Sequence, residues 1–302
     1  MTIRVSTIVP AYNNEATVAQ AIDSALAQDF DGHEVVVVDD GSTDGTAAVL
    51  ARYRDRIRVV HQANAGAASA RNAGAAIALG EYFAFLDADD IWLPNALLAR
   101  YESLASNPEA VLAYGDFSIV DDAHLPLLSS VFRAEPCAAT APTMDELIQR
   151  TWPILPTAVM VRSAAYRGVG GFDEGFRKAG WEDFHLWMLM RERGPFVAVP
   201  QLLAIHVDHP ELAPEKYLAG RRRFVGLVRA RYGARVADLC RDIDRDLSAK
   251  FLERGIGRLK GGHFVASALD LVAAIRFSPT YVASNLKAGE RLYKIVRRNR
   301  LS

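Results

Sequence analysis

Residues 87–90 read Asp-Ala-Asp-Asp and close an apolar run, Tyr82-Phe83-Ala84-Phe85-Leu86, with the character of a buried strand. Three carboxylates at such a strand end need a positive partner. A divalent cation bridging to a phosphorylated ligand supplies one, because hard cations take oxygen ligands and pair with substrate phosphates. Side chains two residues apart on an extended segment point the same way, so Asp87 and Asp89 can share one ion. An isolated D-x-D also suits a solvated turn. Asp90, ahead of Ile91-Trp92-Leu93-Pro94, reads as a helix cap.

Other reactive groups recur at comparable places. Asp39-Asp40-Gly41-Ser42-Thr43-Asp44 closes a second apolar run, Val35 to Val38. Thr43 or Asp44 suits a helix cap, but capping does not account for two consecutive acids at the strand end. A carboxylate there can accept the imide N–H of a uracil or thymine. The Arg71-Asn72 pair falls inside a helix pattern, either on a solvated face or as a contact to base or phosphate. Glu182 and Asp183 fall in the first turn of another helix, where an acid complements the dipole or serves as a general base. Neither glycine-rich segment fits G-x-G-x-x-G or the Walker A spacing, which disfavours a dinucleotide enzyme or a P-loop NTPase.

The elements that must position these groups alternate over the first 115 residues. Strand patterns at Val5–Val9, Val35–Val38, Ile57–Val60 and Tyr82–Leu86 are separated by helix patterns at about 15–28, 43–54 and 67–79, the first capped by Asn13 or Asn14. Short apolar strands alternating with helices imply an α/β fold with a single, doubly wound, mainly parallel sheet. Ligands of such sheets bind beyond the carboxyl ends of the strands. Tyr12, Asp39-Asp40 and Asp87–Asp89 all fall there. From Ala110 to about His209, strand patterns at Val111–Tyr114, Ala158–Val161 and Phe196–Val199 mix with loops, as a small antiparallel subregion would. The domain reading is a catalytic domain over 1–209 and a basic helical extension over 210–302.

Charge supports that division. The 302 residues carry a net charge of −1, but residues 210–302 hold 20 Lys and Arg against 9 acids, and residues 1–209 hold 15 against 27. An acidic part needs cations, and a basic part suits an anionic surface. Two distant cysteines, Cys137 and Cys240, and a strand pattern starting at Arg4 lead to the expectation of a cytoplasmic protein without a signal segment. No apolar stretch reaches the ~18 residues of a spanning helix.

Taken in order, Val5-Ser-Thr-Ile-Val-Pro-Ala-Tyr-Asn13, Val38-Asp-Asp-Gly-Ser-Thr-Asp44, Asn64-Ala-Gly…Ala70-Arg-Asn72 and Phe85-Leu-Asp-Ala-Asp-Asp90 resemble the successive signatures of family 2 glycosyltransferases. Gly170-Gly-Phe-Asp-Glu174 and Trp181-Glu-Asp-Phe-His-Leu-Trp187 resemble its later motifs. The resemblance covers roughly residues 3–209. It implies a GT-A fold, a nucleotide-sugar donor, a divalent metal (Mn2+ or Mg2+) and inversion at the anomeric carbon. By that resemblance Pro10, Ala11 and Tyr12 pack around the base, Asp40 with Asp39 beside it contacts uracil, and Arg71 approaches base or phosphates. Asp87 would contact the ribose or sugar and Asp89 would hold the metal. Asp183 would be the catalytic base, with Glu182 its rival. His209 would reach the metal or diphosphate, with His206 competing for that place.

The expected function is inverting transfer from a nucleotide-sugar, best a UDP-sugar, to a hydroxyl of a glycan or lipid-linked acceptor in surface-polysaccharide synthesis. Nucleic acid is not an expected partner. Peripheral contact with an anionic membrane face through the basic extension is the functional alternative to a solvated helical cap. The competing readings are a nucleotide-sugar-binding homologue without turnover and a nucleotidyltransferase. The latter would need a glycine-rich basic loop after the first strand, which Pro10-Ala-Tyr-Asn-Asn-Glu lacks.

Overall fold

The computed structural model describes residues 2–149, 153–177, 179–208 and 214–233, with short runs between 236 and 278. Packing divides the chain into two compact units, residues 1–147 with 152–211 and residues 148–151 with 212–302. The first unit is a mixed α/β sheet. Its strands are β1 (Val5–Ala11), β2 (His33–Asp39), β3 (Arg58–His61), β4 (Tyr82–Phe85), β5 (Ile91–Trp92), β6 (Leu112–Val120), β7 (Pro126–Leu128), β8 (Val159–Arg162) and β9 (Phe196–Val207). Helices among the described residues include α1 (Val18–Leu26), α2 (Thr46–Leu50), α3 (Ala67–Ile77), α4 (Ala96–Ser106), α5 (Val131–Ala134), α6 (Met144–Gln149), α7 (Ser163–Gly168), α8 (Glu182–Arg191) and α9 (Pro214–Tyr232).

Strand order is β3-β2-β1-β4-β8-β6-β9-β5, with β7 added beside β6. The β3-β2-β1-β4 half is parallel throughout. It is built from runs such as Val35 to Val38, all buried, and each such side chain contributes roughly 1.5–3 kcal/mol on leaving water. Strand order reverses between β1 and β4, and a crevice opens at such a switch point. Pro10 lies inside β1, opposite Val38, rather than ending the strand. Its missing N–H is harmless there: β4 stops at Phe85, opposite Ile8, so that side of Pro10 has no strand to bond. Helix α3 packs tightly on this half. A Cβ on Gly74 would lie 2.6 Å from Ile8 Cγ2 and 3.2 Å from Val38 Cγ2, so only glycine allows the approach.

The other half alternates direction. β8 runs antiparallel to both β4 and β6, β6 is parallel to β9, and β5 returns antiparallel to β9. β9 is far longer than the expected Phe196–Val199 strand: twelve residues, held in register along β6 to Val120↔Val207 with shifts around Asp116. The exposed stretch Pro200 to Leu202, opening on a proline, interrupts the apolar run after Val199 and hid that continuation.

Helix α1 begins at Val18 rather than near Glu15. The preceding residues are drawn to the loop after β2. Asn14 N–H donates to Thr46 Oγ1 (2.8 Å), Glu15 N–H to Asp44 Oδ2 (3.1 Å), and Asn13 Oδ1 accepts Thr43 N–H (2.8 Å). In the second unit, α9 buries Leu218, Phe224, Val225 and Val228 and exposes Arg222, Arg223 and Arg229. Arg297, Arg298 and Arg300 lie outside the described residues. Among the described residues no helix is long and apolar enough to cross a membrane.

Candidate active site

A cleft of about 360 Å³ opens at the switch point. Its wall is formed by Pro10, Ala11, Tyr12 and Asn14 after β1, Asp40 after β2, Ala67, Ala70 and Arg71 of α3, Asp87, Ala88 and Asp89 after β4, and His206 and Val207 at the end of β9. Seven of the residues singled out in the sequence thus meet in one cavity: Pro10, Ala11, Tyr12, Asp40, Arg71, Asp87 and Asp89. Tyr12 stands at the surface, 41% exposed.

The paired acids after β2 have separate partners. Asp40 Oδ1 accepts Gln62 Nε2 (2.7 Å) and Ala65 N–H (2.8 Å), and its Oδ2 accepts Gly66 N–H (2.8 Å). It therefore shapes the 62–66 loop as well as lining the cleft. Gly66, at φ +97°, is the turn that delivers α3 to that loop. Asp39 is not in the cleft wall. Its carboxylate accepts Ser42 N–H (2.9 Å) and contacts His61 Nδ1 (3.0 Å). Burial would raise the Asp39 pKa, but the bonds from Ser42 and His61 outweigh it and hold the carboxyl below its usual range.

Arg71 departs from the solvated-face reading. It is 4% exposed, and its Nη2 donates to Asp87 Oδ1 at 2.5 Å. Its Nη1 lies 3.7 Å from Glu182 Oε1, and its guanidinium lies 5.2 Å from the centre of the Phe172 ring. Arg71 Nε and Nη1 and Glu182 Oε2 are buried without a hydrogen bond. Burial lowers the Arg71 pKa, but Asp87 and Glu182 outweigh it and the net shift is upward. The guanidinium therefore ties the loop after β4 to the start of α8. Its neighbour Asn72 is a structural link: its Oδ1 accepts Tyr166 Oη–H (2.6 Å) and Phe172 N–H (3.0 Å), and its Nδ2 donates to Phe172 O and Glu174 Oε1.

Helix α8 is launched by Trp181, a non-glycine residue at φ +75° with its ring buried against Phe184. That turn places Glu182 and Asp183 at positive helix-end amides, beside Arg71. Asp183 is not one of the cleft-lining residues. Its pKa is pushed up to about 7 by burial first and by the neighbouring Glu182 charge second, against the bond from Phe184 N–H. Burial raises Glu182 as well, and Arg71 opposes it only in part.

Asp90 is a correction. It caps no helix; α4 starts at Ala96 behind Asn95. Asp90 is fully buried, and its carboxylate accepts Val207 N–H (2.9 Å), Thr157 Oγ1–H (2.5 Å) and the Nδ1 of His206 (3.0 Å). The sequence masked this, since a buried acid and a capping acid look alike before an apolar run such as Ile91-Trp92-Leu93. His206 is half-buried in the cleft wall. Burial lowers its pKa, but Asp90, Asp87 and Asp89 outweigh this and raise it. His209 lies outside the described residues.

Metal fit follows from the donor chemistry. Among the described residues no three His, Cys, Asp or Glu side chains cluster as a complete metal site. Asp87 is engaged by Arg71, while Asp89 and His206 share the cleft wall. Such a short set fits Mg2+ or Mn2+, which take one or two carboxylates and complete their shell with phosphate oxygens and water. A carboxylate on the far ring nitrogen, as Asp90 is on His206, is the usual support of an imidazole ligand.

Comparisons with known proteins agree with this architecture. An uncharacterized glycosyltransferase of Rickettsia felis is 41% identical over 122 residues, 39% of this chain and 20% of that protein. The Escherichia coli UDP-Glc:alpha-D-GlcNAc-diphosphoundecaprenol beta-1,3-glucosyltransferase WfgD is 38% identical over 120 residues, 39% of this chain and 47% of that protein. The chain thus spans a fifth to just under half of these relatives' length. Staphylococcus aureus TarS 1-349, solved in complex with UDP-GlcNAc, has the same fold at a TM-score of 0.59 and 20% identity, covering 75% of this chain and 67% of that one. The family model described as Glycosyl transferase family 2 matches residues 6–159, just over half the chain. The chain belongs to glycosyl transferase family 2.

Proposed function

We propose that this protein transfers a sugar, with inversion, from a UDP-sugar to a hydroxyl of a glycan or lipid-linked acceptor. The observation that carries the reading is one cleft at the sheet's switch point that joins Tyr12, Asp40, Arg71, Asp87, Asp89 and His206, with Asp183 next to Arg71. UDP in the donor is supported by the TarS complex with UDP-GlcNAc, and a lipid-linked acceptor by the name of WfgD.

In this reading the base packs by Tyr12 and the carboxylate of Asp40, while Asp87 and Asp89 face the ribose, sugar and diphosphate. Asp183 accepts the proton of the acceptor hydroxyl as its oxygen attacks the anomeric carbon. The bond from that carbon to the diphosphate breaks on the opposite face, and the electron pair leaves with UDP. Arg71 holds Asp87 in place and keeps positive charge beside the developing diphosphate. A divalent cation on Asp89 and His206 would offset that negative charge. Asp90 fixes the His206 ring from behind. Attachment of the basic extension to an anionic membrane is the alternative to a solvated helical cap, and absence of co-sedimentation with anionic vesicles at low salt excludes it.

The test is metal-dependent UDP release across a donor panel, with Asp89→Ala and Asp183→Asn alongside. Loss of release in both is expected, and full activity in either overturns the assignment.

A further inference from the structure

Thr157 lies in the single turn Pro156–Ala158 that leads into β8, 1% exposed and outside the cleft wall. Its hydroxyl accepts the Asp87 N–H (3.0 Å) and donates to Asp90 Oδ2 (2.5 Å). A backbone N–H can only donate, so the hydroxyl accepts from Asp87 and turns its own hydrogen to Asp90. Asp90 in turn holds Val207 N–H and His206 Nδ1. Two walls of the cleft, the loop after β4 and the end of β9, therefore meet at the Asp90 carboxylate, which this buried hydroxyl braces.

The turn carrying it is itself pinned. The Thr157 carbonyl accepts Trp92 Nε1–H (2.8 Å) and Arg100 Nη1 (3.0 Å), and Arg100 also donates to Val159 O (3.3 Å). The Arg100 guanidinium is fully buried, 4.4 Å from the centre of the Trp92 ring. Both donors to Thr157 O come from the segment that follows Asp90 in sequence. Arg100 Nη2 is buried without a hydrogen bond, a cost this network carries, while its bonded members hold the turn rigid.

We infer that Thr157 is a positioning residue for the donor site, setting Asp87 directly and His206 through Asp90 while touching no substrate. The inference rests on the nucleotide-sugar reading above. Valine matches threonine in shape but can neither accept the Asp87 N–H nor bond Asp90, and a displacement of about 1 Å at a reacting centre can cost on the order of a hundredfold. Serine retains both bonds.

The test is calorimetric titration of UDP without added metal, and steady-state transfer, on wild type, Thr157→Val and Thr157→Ser. Thermal melts and near-UV circular dichroism establish that each is folded. Folded Thr157→Val should bind UDP roughly tenfold more weakly, with the loss in kcat exceeding the rise in donor KM, and Thr157→Ser should return close to wild type. Where the valine form does not fold, Thr157→Ala, which removes the hydroxyl without adding bulk, replaces it. A folded hydroxyl-free variant with wild-type Kd, kcat and KM overturns the inference, as does a serine form as impaired as valine. Absence of UDP binding and transfer in the wild type instead overturns the nucleotide-sugar reading itself.

Discussion

Two sets of acids surround this cleft, and their surroundings differ. Asp39, Asp40 and Asp90 sit at strand ends and collect hydrogen bonds: Asp40 takes three N–H donors, and Asp39 is held below its normal pKa by Ser42 and His61. Glu182 and Asp183, at the start of α8, are desolvated beside one another with a single shared arginine, and both are shifted upward. The first set fixes loops. In the second, desolvation raises both acids, Asp183 to about 7. Environment, not residue type, sets these acids apart.

The largest test of this contrast is Asp183→Asn. Transfer should fall by at least about a thousandfold, within the range of a lost general base, while UDP binding measured by calorimetry stays near wild type. Next comes Arg71→Ala, which strands Asp87 and Glu182. Breaking a buried pair in this way costs about 3–5 kcal/mol, read as a lower denaturation midpoint.

The pH dependence sharpens the contrast further. If Asp183 is the base, kcat rises with pH through about 7, and Glu182→Gln, by removing a like charge, should move that midpoint to lower pH. Stability should show opposite slopes. A raised pKa in the folded state favours the protonated form, so the Asp183 contribution is present in acid and lost as pH rises through about 7. Asp183→Asn should therefore gain melting temperature over wild type at pH 8 relative to pH 5. The depressed Asp39 contributes stability above the ordinary carboxylate range that is lost as pH falls through its folded pKa. The smallest effect is then Asp39→Asn, whose melting temperature should drop less than wild type's between pH 5 and pH 3.

The parallel half was legible because one signal repeats there: an apolar run, then a polar residue with chemistry. That signal marked Tyr12, Asp40, Asp87 and Asp89 at strand ends, and the family resemblance added Pro10, Ala11 and a site role for Arg71; all line one cavity. The errors share a cause. Asp39 and Asp40 are adjacent, and strand alternation sends neighbours to different faces, but no pattern says which one faces the cleft. Asp90 and Arg71 look like surface residues by type, and only their partners, Thr157 and Val207 in one case and Asp87 and Glu182 in the other, reveal them as buried. Those partners are distant in sequence. His206 shows its place in the cleft wall only through the fold, since its supporting acid lies 116 residues earlier.

The reversed direction of β8 has a practical consequence. Among strands that deliver their ends to the cleft, β8 delivers its beginning, so the residues before it, not after it, arrive at the rim. The polypeptide between the β6–β7 hairpin and Thr157 also fills the core, burying Val131, Phe132, Ala138 and Ile154, and its Ala138 and Ile154 carbonyls accept Tyr114 Oη–H and Trp187 Nε1–H. Replacing it therefore removes core as well as rim.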